Sequence, residues 1–374
     1  MLSSRKAAAE RLRLRSAAAR IAIGLCVGGA LLLAGFRLVP RMGSEWRPTK
    51  EPAAQRAFYF WKTQWLATSA SAASLRALAV GRLYLRLFDV DWDPALQAAQ
   101  PIAPLVFAAP LPRELDIVPV VFVTNQVFLR TAPAAVDGLA ERVLRKILAT
   151  SAAHGITPRE VQLDCDWSDA TRARYFRFLD VLRRALHEKN QILSSTIRLH
   201  QIKYAARTGV PPVDRGMLMF YNFGPLYADA PRSSIYNTED AQRYAAHIAG
   251  YALPLDLSLP LFSWAVHARD GNVVGVIEKL DAADIEHVDA FRRIHDGRYQ
   301  AARGVFLRGH YFIEGDELRI EQTTPHTTLQ AAITAARGAR GQKHFATIAF
   351  FDLDERNLRH YVVSDLQNIL AVFR

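Results

Sequence analysis

Residues 161–204 limit what this chain can fold into more than any other stretch, because they read as strand, helix, strand. In the first strand Val161, Leu163 and Cys165 alternate with Gln162, Asp164 and Asp166. In the second, Ile197 and Leu199 alternate with Thr196, Arg198 and His200. Between them Tyr175, Phe178, Leu179, Leu182 and Leu186 recur at helical spacing, which predicts a helix lying over the apolar faces of two parallel strands. Two aspartates, an arginine and a histidine then face away from that helix. An open sheet would cover this second face with more apolar residues. A closed barrel turns it toward the axis, where polar groups near the strand ends line the mouth.

The same rhythm runs along the chain. Strands are expected at 57–63, 83–90, 117–123, the two above, 217–221, 255–262 and 346–351. Helices are expected at 65–79, 135–153, 240–250, 327–337 and 364–373. Eight strands, each followed by a helix, give an α/β fold of the (β/α)8 TIM-like class over residues 57–374. Residues 265–325 break the rhythm after strand seven. They are expected to hold a short helix near 285–293 and a hairpin pairing 305–312 with 317–322, forming a lid or side wall. A doubly wound sheet is the competing fold, but no Gly-rich turn follows the first strand.

The N-terminal region has a different character. Residues 1–20 are basic and Ala-rich, and residues 21–36 form an uncharged apolar run, extended to 39 if Arg37 snorkels. Six positive residues precede the run, which puts the N-terminus in the cytoplasm by the positive-inside rule. The expectation is a single-pass signal anchor at 21–39 in a bacterial inner membrane, a linker at 40–56 and a periplasmic body. A cleaved secretory signal is the alternative. The location of charge also excludes a function class. The formal net charge is +11, but residues 1–50 carry ten Lys/Arg against Glu10 and Glu45, so only +3 is left for the rest. Such a body has no electrostatic footprint for nucleic acid. Cys26 lies in the apolar run and Cys165 in a core strand, so no disulfide between them is expected.

Five tryptophans fall at or just after expected strand ends: Trp61, Trp65, Trp92, Trp167 and Trp264. Gathered at one mouth, indole rings would offer flat platforms for sugar rings; ordinary core packing is the alternative for each. The same ends carry Asp89, Asp91, Asp93, Asp164, Asp166, Asp169, Asp352 and Asp354. Glycoside cleavage needs two carboxylates, one protonated and one ionised. Asp164 and Asp166, one pleat apart, are the pair expected to point inward, with Arg198 and His200 orienting them. The competing reading is a buried Asp–Arg ladder that fills the barrel. No ligand-spacing motif supports a metal at Asp164, Asp166 and His200, and neither a metal nor another cofactor is expected. His154, His187, His267 and His295 read as surface histidines without a role, and Ser194 and Ser195 lack a nucleophile-elbow context.

LDCDW at 163–167 and MFYN at 219–222 resemble the strand-four and strand-six signatures of the chitinase-type glycosidases, D-x-x-D-x-D-x-E and M-x-Y-D. That resemblance implies substrate-assisted cleavage, in which the Glu protonates the leaving oxygen and an Asp two residues earlier steadies the acetamido group. Asp164, Asp166, Met219 and Tyr221 match. Val161 replaces the first Asp, Asn222 the strand-six Asp, and Ser168 the acid Glu, with Asp169 one residue away on the opposite face. Serine cannot serve as that acid near neutral pH. The longer pieces FYFWKT, QLDCDWSDATRARYF, TIRLHQIKY and GVPPVDRGMLMFYNFG resemble a bacterial family of exported, barrel-like proteins that brings no activity with it. The expectation is an envelope-anchored, glycosidase-like barrel acting on or binding a glycan outside the membrane. Asp164, Asp166, Arg198 and His200 would form its centre. Trp61, Trp92, Trp167, Tyr221, Asn222 and Trp264 would contact the sugar. The alternative is a non-catalytic glycan-binding or assembly factor.

Overall fold

The computed structural model describes residues 53–374 apart from 67, 225, 229–231 and 342–343. The expected basic segment, the anchor at 21–39 and the linker up to residue 52 lie outside the described residues. Among the described residues no helix is long and apolar enough to cross a membrane.

Eight parallel strands close into a barrel. They are β1 (Gln55–Phe60), β2 (Arg82–Asp93), β3 (Asp116–Val123), β4 (Glu160–Asp164), β5 (Ile192–Ile197), β6 (Arg215–Met219), β7 (Leu255–Pro260) and β8 (Thr347–Phe351). Each pairs with the next in the chain, and β1 closes the ring by pairing with both β2 and β8. The helices α1 (Ser69–Ala77), α2 (Val136–Ala153), α3 (Arg172–His187), α4 (Thr238–Ala245), α5 (Pro325–Ala339) and α6 (Val363–Ala371) follow in chain order.

Closure gives each strand two buried faces. Outward-facing Val161, Leu163 and Cys165 share one apolar layer with Tyr175, Phe178, Leu179, Leu182 and Leu186 of α3, as the alternation required. Each such buried side chain contributes about 1.5–3 kcal/mol of transfer free energy. A second, smaller layer inside the barrel holds Tyr59, Tyr84, Val118, Val120, Met217 and Met219.

Three local departures bear on the site. First, β2 is not followed by a helix. Its last five residues pair antiparallel with Ala98–Ile102, and its register shifts between Arg86 and Phe88. The extra residue lets Leu85, Leu87 and Phe88 all join the outer layer, and leaves Arg86 and Asp89 together in a charge pair. Second, β5 stops at Ile197, and Arg198 is the N-cap of a short helix, Leu199–Lys203, its backbone N–H donating to Gln201 Oε1 at 2.7 Å. The period-two pattern read through His200 therefore ends two residues early.

Third, the insertion after β7 is a five-stranded antiparallel sheet. Its order is Asn272–Glu278, Ser263–Arg269, Glu317–Gln322, Arg298–Ala301 and Phe291–His295. The expected hairpin is paired differently. Val305–Leu307 turns back on His310–Phe312 through Arg308 and Gly309, both at positive φ, the geometry that tight hairpins favour. Glu317–Gln322 is taken instead by the larger sheet. The expected helix near 285–293 shrinks to Ala282–Glu286, ahead of the strand at Phe291. His267 is not a surface residue: it is buried in the insertion core, 2.9 Å from Asp316 and stacked on Phe312.

Candidate functional site

Inside the barrel, polar side chains form tiers from the N-terminal strand ends to the C-terminal mouth. At the base Arg82 contacts Asp116 at 2.7 Å and Glu160 at 3.0 Å, and Arg215 reaches Asp256 at 3.3 Å. Above them Tyr59 stacks on Tyr84 at 4.8 Å and its hydroxyl donates to Gln162 Oε1 at 2.5 Å. The Gln162 amide donates in turn to Ser194 Oγ at 3.2 Å. At the mouth Thr196 Oγ1 donates to Asp164 Oδ1 at 2.5 Å, and Arg198 spans two carboxylates, Asp164 at 3.3 Å and Asp166 at 2.5 Å.

The environments of that pair differ. Asp164 is buried, and burial raises its carboxyl above the usual range; Arg198 opposes the shift and the charge of Asp166 adds to it. The side chain of Asp166 is 59% exposed. Arg198 keeps an extended backbone as the N-cap, so its side chain stays on the inward parity of Thr196 and reaches both carboxylates.

Over this trio lies a cavity of about 240 Å³. Trp61, Tyr221, Phe262, Trp264 and Phe351 line it together with Asn222. Their rings touch in sequence: Trp61 to Phe351 at 5.7 Å, Phe351 to Tyr221 at 5.5 Å, Tyr221 to Phe262 at 5.5 Å and Phe262 to Trp264 at 5.4 Å between centroids. The insertion closes one side with Glu278 and Lys279. Lys279 Nζ bridges Asp352 at 3.1 Å and Asp354 at 3.0 Å, the two acids following β8. Burial also raises the carboxyl of Asp352, with Lys279 working against the shift.

Of the residues singled out from sequence, Asp164, Asp166, Arg198, Trp61, Tyr221, Asn222 and Trp264 meet at this cavity. His200, Trp92 and Trp167 do not. His200 is exposed on the short helix, because the strand it was assigned to ends before it. Trp167 is 3% exposed and packs in the outer layer against Tyr175 at 5.3 Å, its indole N–H donating to Thr208 O at 3.1 Å. Trp92 lies in the antiparallel extension of β2, opposite Ala99, on the same strand parity as outward-facing Phe88 and Val90. Trp65 is likewise a core residue, against Phe60 at 4.8 Å.

Most other strand-end acids hold local structure. Asp91 accepts from Thr124 Oγ1 at 2.6 Å, Asp93 accepts from the N–H groups of Ala95 and Leu96, and Asp169 lies 3.7 Å from Arg207. Ser168 is outside the cavity too. Its N–H donates to Thr171 Oγ1 at 2.9 Å, and its hydroxyl lies 3.3 Å from the same atom.

Sequence reasoning missed Glu278, Lys279, Phe262 and Phe351. The two phenylalanines close strand runs that alternation had found. Glu278 and Lys279 carried no signal, since only the pairing of the insertion sheet brings them to the barrel. Among the described residues no group of three His, Cys, Asp or Glu is placed to hold a metal ion.

No family model and no curated protein matches the sequence. Solved structures do match its fold. The C-terminal domain of a putative chitinase from Desulfitobacterium hafniense superposes with a TM-score of 0.53 at 10% identity, covering 86% of this chain and 100% of that one. The spore cortex-lytic enzyme SleL of Bacillus cereus gives 0.50 at 14% identity, over 86% of this chain and 75% of that one. A class V chitinase from Pseudomonas fluorescens gives 0.50 at 14% identity, over 85% and 100%. At these identities the likeness is one of fold: this chain is a closed eight-stranded barrel of the kind found in chitinase-type glycosidases.

Proposed function

We propose that this protein binds a glycan at the barrel mouth, one sugar residue at a time, without substrate-assisted hydrolysis. The observation that carries the reading is the cavity itself, a chain of aromatic rings set around the Asp164–Arg198–Asp166 trio. Aromatic faces suit the apolar faces of sugar rings, and the charged trio suits their hydroxyl edges. A volume of about 240 Å³ is below the roughly 300–1,000 Å³ of drug-sized pockets, so it suits one ring and its substituents. The solved structures of similar fold include chitinases and a cortex-lytic enzyme, which makes a glycan the natural ligand class to test.

Against cleavage by the chitinase route stands position 168. It holds a serine turned to Thr171, so the place of the proton donor is empty of acid. A second reading rests on Asp164. A buried carboxyl held toward its protonated form is what a general acid needs, and Asp164 could then serve a hydrolase of another type. Envelope glycans and exopolysaccharide fragments titrated against wild type, Trp61→Ala and Asp164→Asn, with product analysis, separate the two. Saturable binding that is weakened by Trp61→Ala and leaves the glycan intact supports the first reading. Cleavage lost in Asp164→Asn replaces it with the second.

The proposal includes location: a signal anchor at 21–39 with the barrel in the periplasm, supported by the six cations that precede the apolar run. Protease digestion of intact cells and spheroplasts tests it. A barrel cut only after the outer membrane is opened agrees; a barrel protected in spheroplasts overturns it.

A further inference from the structure

We infer that the preferred ligand is a glycan carrying free, positively charged amino groups, and that Glu278 selects it; this rests on the glycan reading above. Glu278 ends the strand Asn272–Glu278 and lies directly across from Trp264 on the neighbouring antiparallel strand. Cross-strand partners carry their side chains on one face, with Cβ atoms about 4.5–5.5 Å apart. Both line the cavity. A sugar ring laid on Trp264 therefore presents its substituents to the Glu278 carboxylate.

That carboxylate is unclaimed. Glu278 is exposed, and its side chain has no hydrogen bond or ion pair with any described residue. The cations of the cavity are committed: Arg198 lies between Asp164 and Asp166, and Lys279 between Asp352 and Asp354. Formally the lining holds four carboxylates, on Asp164, Asp166, Glu278 and Asp352, against the two cations Arg198 and Lys279. Asp166, more than half exposed, uses one carboxylate oxygen on Arg198 and leaves the other toward solvent.

The aromatic wall acts in the same direction. Ring faces attract cations; the Arg86 guanidinium already occupies the Trp61 ring, 5.8 Å from its centroid, so this attraction is left to the rings beside Glu278. Two independent features, an unpaired carboxylate beside an indole and an electron-rich wall, thus favour an ammonium group over a neutral acetamide. Both oppose a uronate, whose carboxylate would meet Glu278 and Asp166. A sugar ammonium beside Glu278 gains a charge-assisted hydrogen bond that its acetylated counterpart cannot form.

The test titrates the full-length protein, followed by tryptophan fluorescence, with tetramers of glucosamine, N-acetylglucosamine and galacturonic acid, and with spermidine. The pH is mildly acid, where sugar amines are charged and exposed carboxylates remain ionised. The expected order is the glucosamine tetramer about tenfold tighter than its acetylated form, with the uronate weakest. Added salt narrows the gap, and Glu278→Gln abolishes it. Equal or tighter binding of the acetylated tetramer overturns the inference and leaves the glycan reading in place, as does a gap that survives Glu278→Gln. Spermidine binding as tightly as the glucosamine tetramer also overturns it, since charge alone would then explain the preference. Absence of binding by every oligosaccharide removes the glycan reading itself. Circular dichroism of Glu278→Gln establishes that the exposed substitution leaves the fold intact.

Discussion

The two ends of the barrel interior use the same chemistry to opposite effect. At the base, Arg82 spans Asp116 and Glu160, as Arg198 spans Asp164 and Asp166 at the mouth. The base is the more enclosed: Glu160 and Asp256 are each 1% exposed, beneath stacked Tyr59 and Tyr84, although Asp116 and Arg215 keep 24% and 23% of their side chains exposed. The mouth opens on a cavity that the insertion lines on one side, and there Asp166 meets water, its side chain 59% exposed. An inward Arg–carboxylate pair is a fastening at one end and, on the proposed function, a binding element at the other. What lies above it decides which. The base also fits the ladder reading of the sequence, two tiers below the Asp164–Arg198 pair for which it was considered.

The sharpest way to break this comparison is to remove the arginine at each end. Arg82→Met leaves Glu160 buried without its cation and is expected to cost about 3–5 kcal/mol in urea unfolding. Arg198→Met is expected to cost about 1 kcal/mol, because Asp166 is solvated and Asp164 keeps its bond from Thr196. It should nonetheless weaken glycan binding about tenfold, whereas folded Arg82→Met protein should bind normally. Equal destabilisation by the two changes would make the mouth trio another fastening.

The tryptophans divide in the same way. Trp167→Ala removes a buried ring from the outer layer and is expected to cost about 3–5 kcal/mol while leaving the affinity of folded protein unchanged. Trp61→Ala is expected to do the reverse, lowering affinity about tenfold at a smaller stability cost, since its ring is only partly buried. Calorimetric unfolding and ligand titration of both variants make the check.

A smaller effect distinguishes the ends by pH. Burial pushes the Asp256 carboxyl up to about 6, with Arg215 opposing. The folded state thus holds this proton more tightly than the unfolded chain, whose carboxyl titrates near 3.9. The stability that the bound proton gives is complete below about pH 4 and is lost as pH rises through 6. Asp256→Asn should remove about 2–3 kcal/mol of this pH dependence, read as a flatter profile of urea midpoints between pH 4 and 7. An unchanged profile would mean that Asp256 is ionised throughout, fully matched by Arg215.

How much of this was legible in the sequence follows from range. Alternation is a local signal, and it located all eight barrel strands and the inward faces of Gln162, Asp164 and Thr196. It failed where the backbone changed period without a glycine or proline to announce it. At Arg198 a strand becomes a helix, which kept the arginine in the site and removed His200. Trp167 shares the outward parity of Val161, Leu163 and Cys165 and joins their layer, so its place was legible in the alternation and was overridden by grouping it with the other strand-end tryptophans. Glu278 and Lys279 were illegible for another reason: their place depends on which insertion strands pair, a contact set by residues tens of positions away.

The smallest expected effect concerns the residue that most sets this chain apart from the motif it resembles. Restoring the acid with Ser168→Glu is expected to create no glycosidase activity. Residue 168 lies in the turn that leads into α3, where its backbone N–H and hydroxyl are tied to Thr171 and its hydroxyl is 3.5 Å from the Asn125 amide. None of these three residues lines the cavity. A glutamate there would extend from a turn whose contacts all lie outside the cavity lining. Chromogenic chito-oligosaccharides assayed with wild type and Ser168→Glu provide the measurement, and turnover above wild type would mean that the mouth keeps the catalytic geometry and lacks only the acid. With no turnover and unchanged binding, the loss extends past one side chain to the turn that carries it. The mouth would then be a binding surface by architecture, as the base is a fastening by burial.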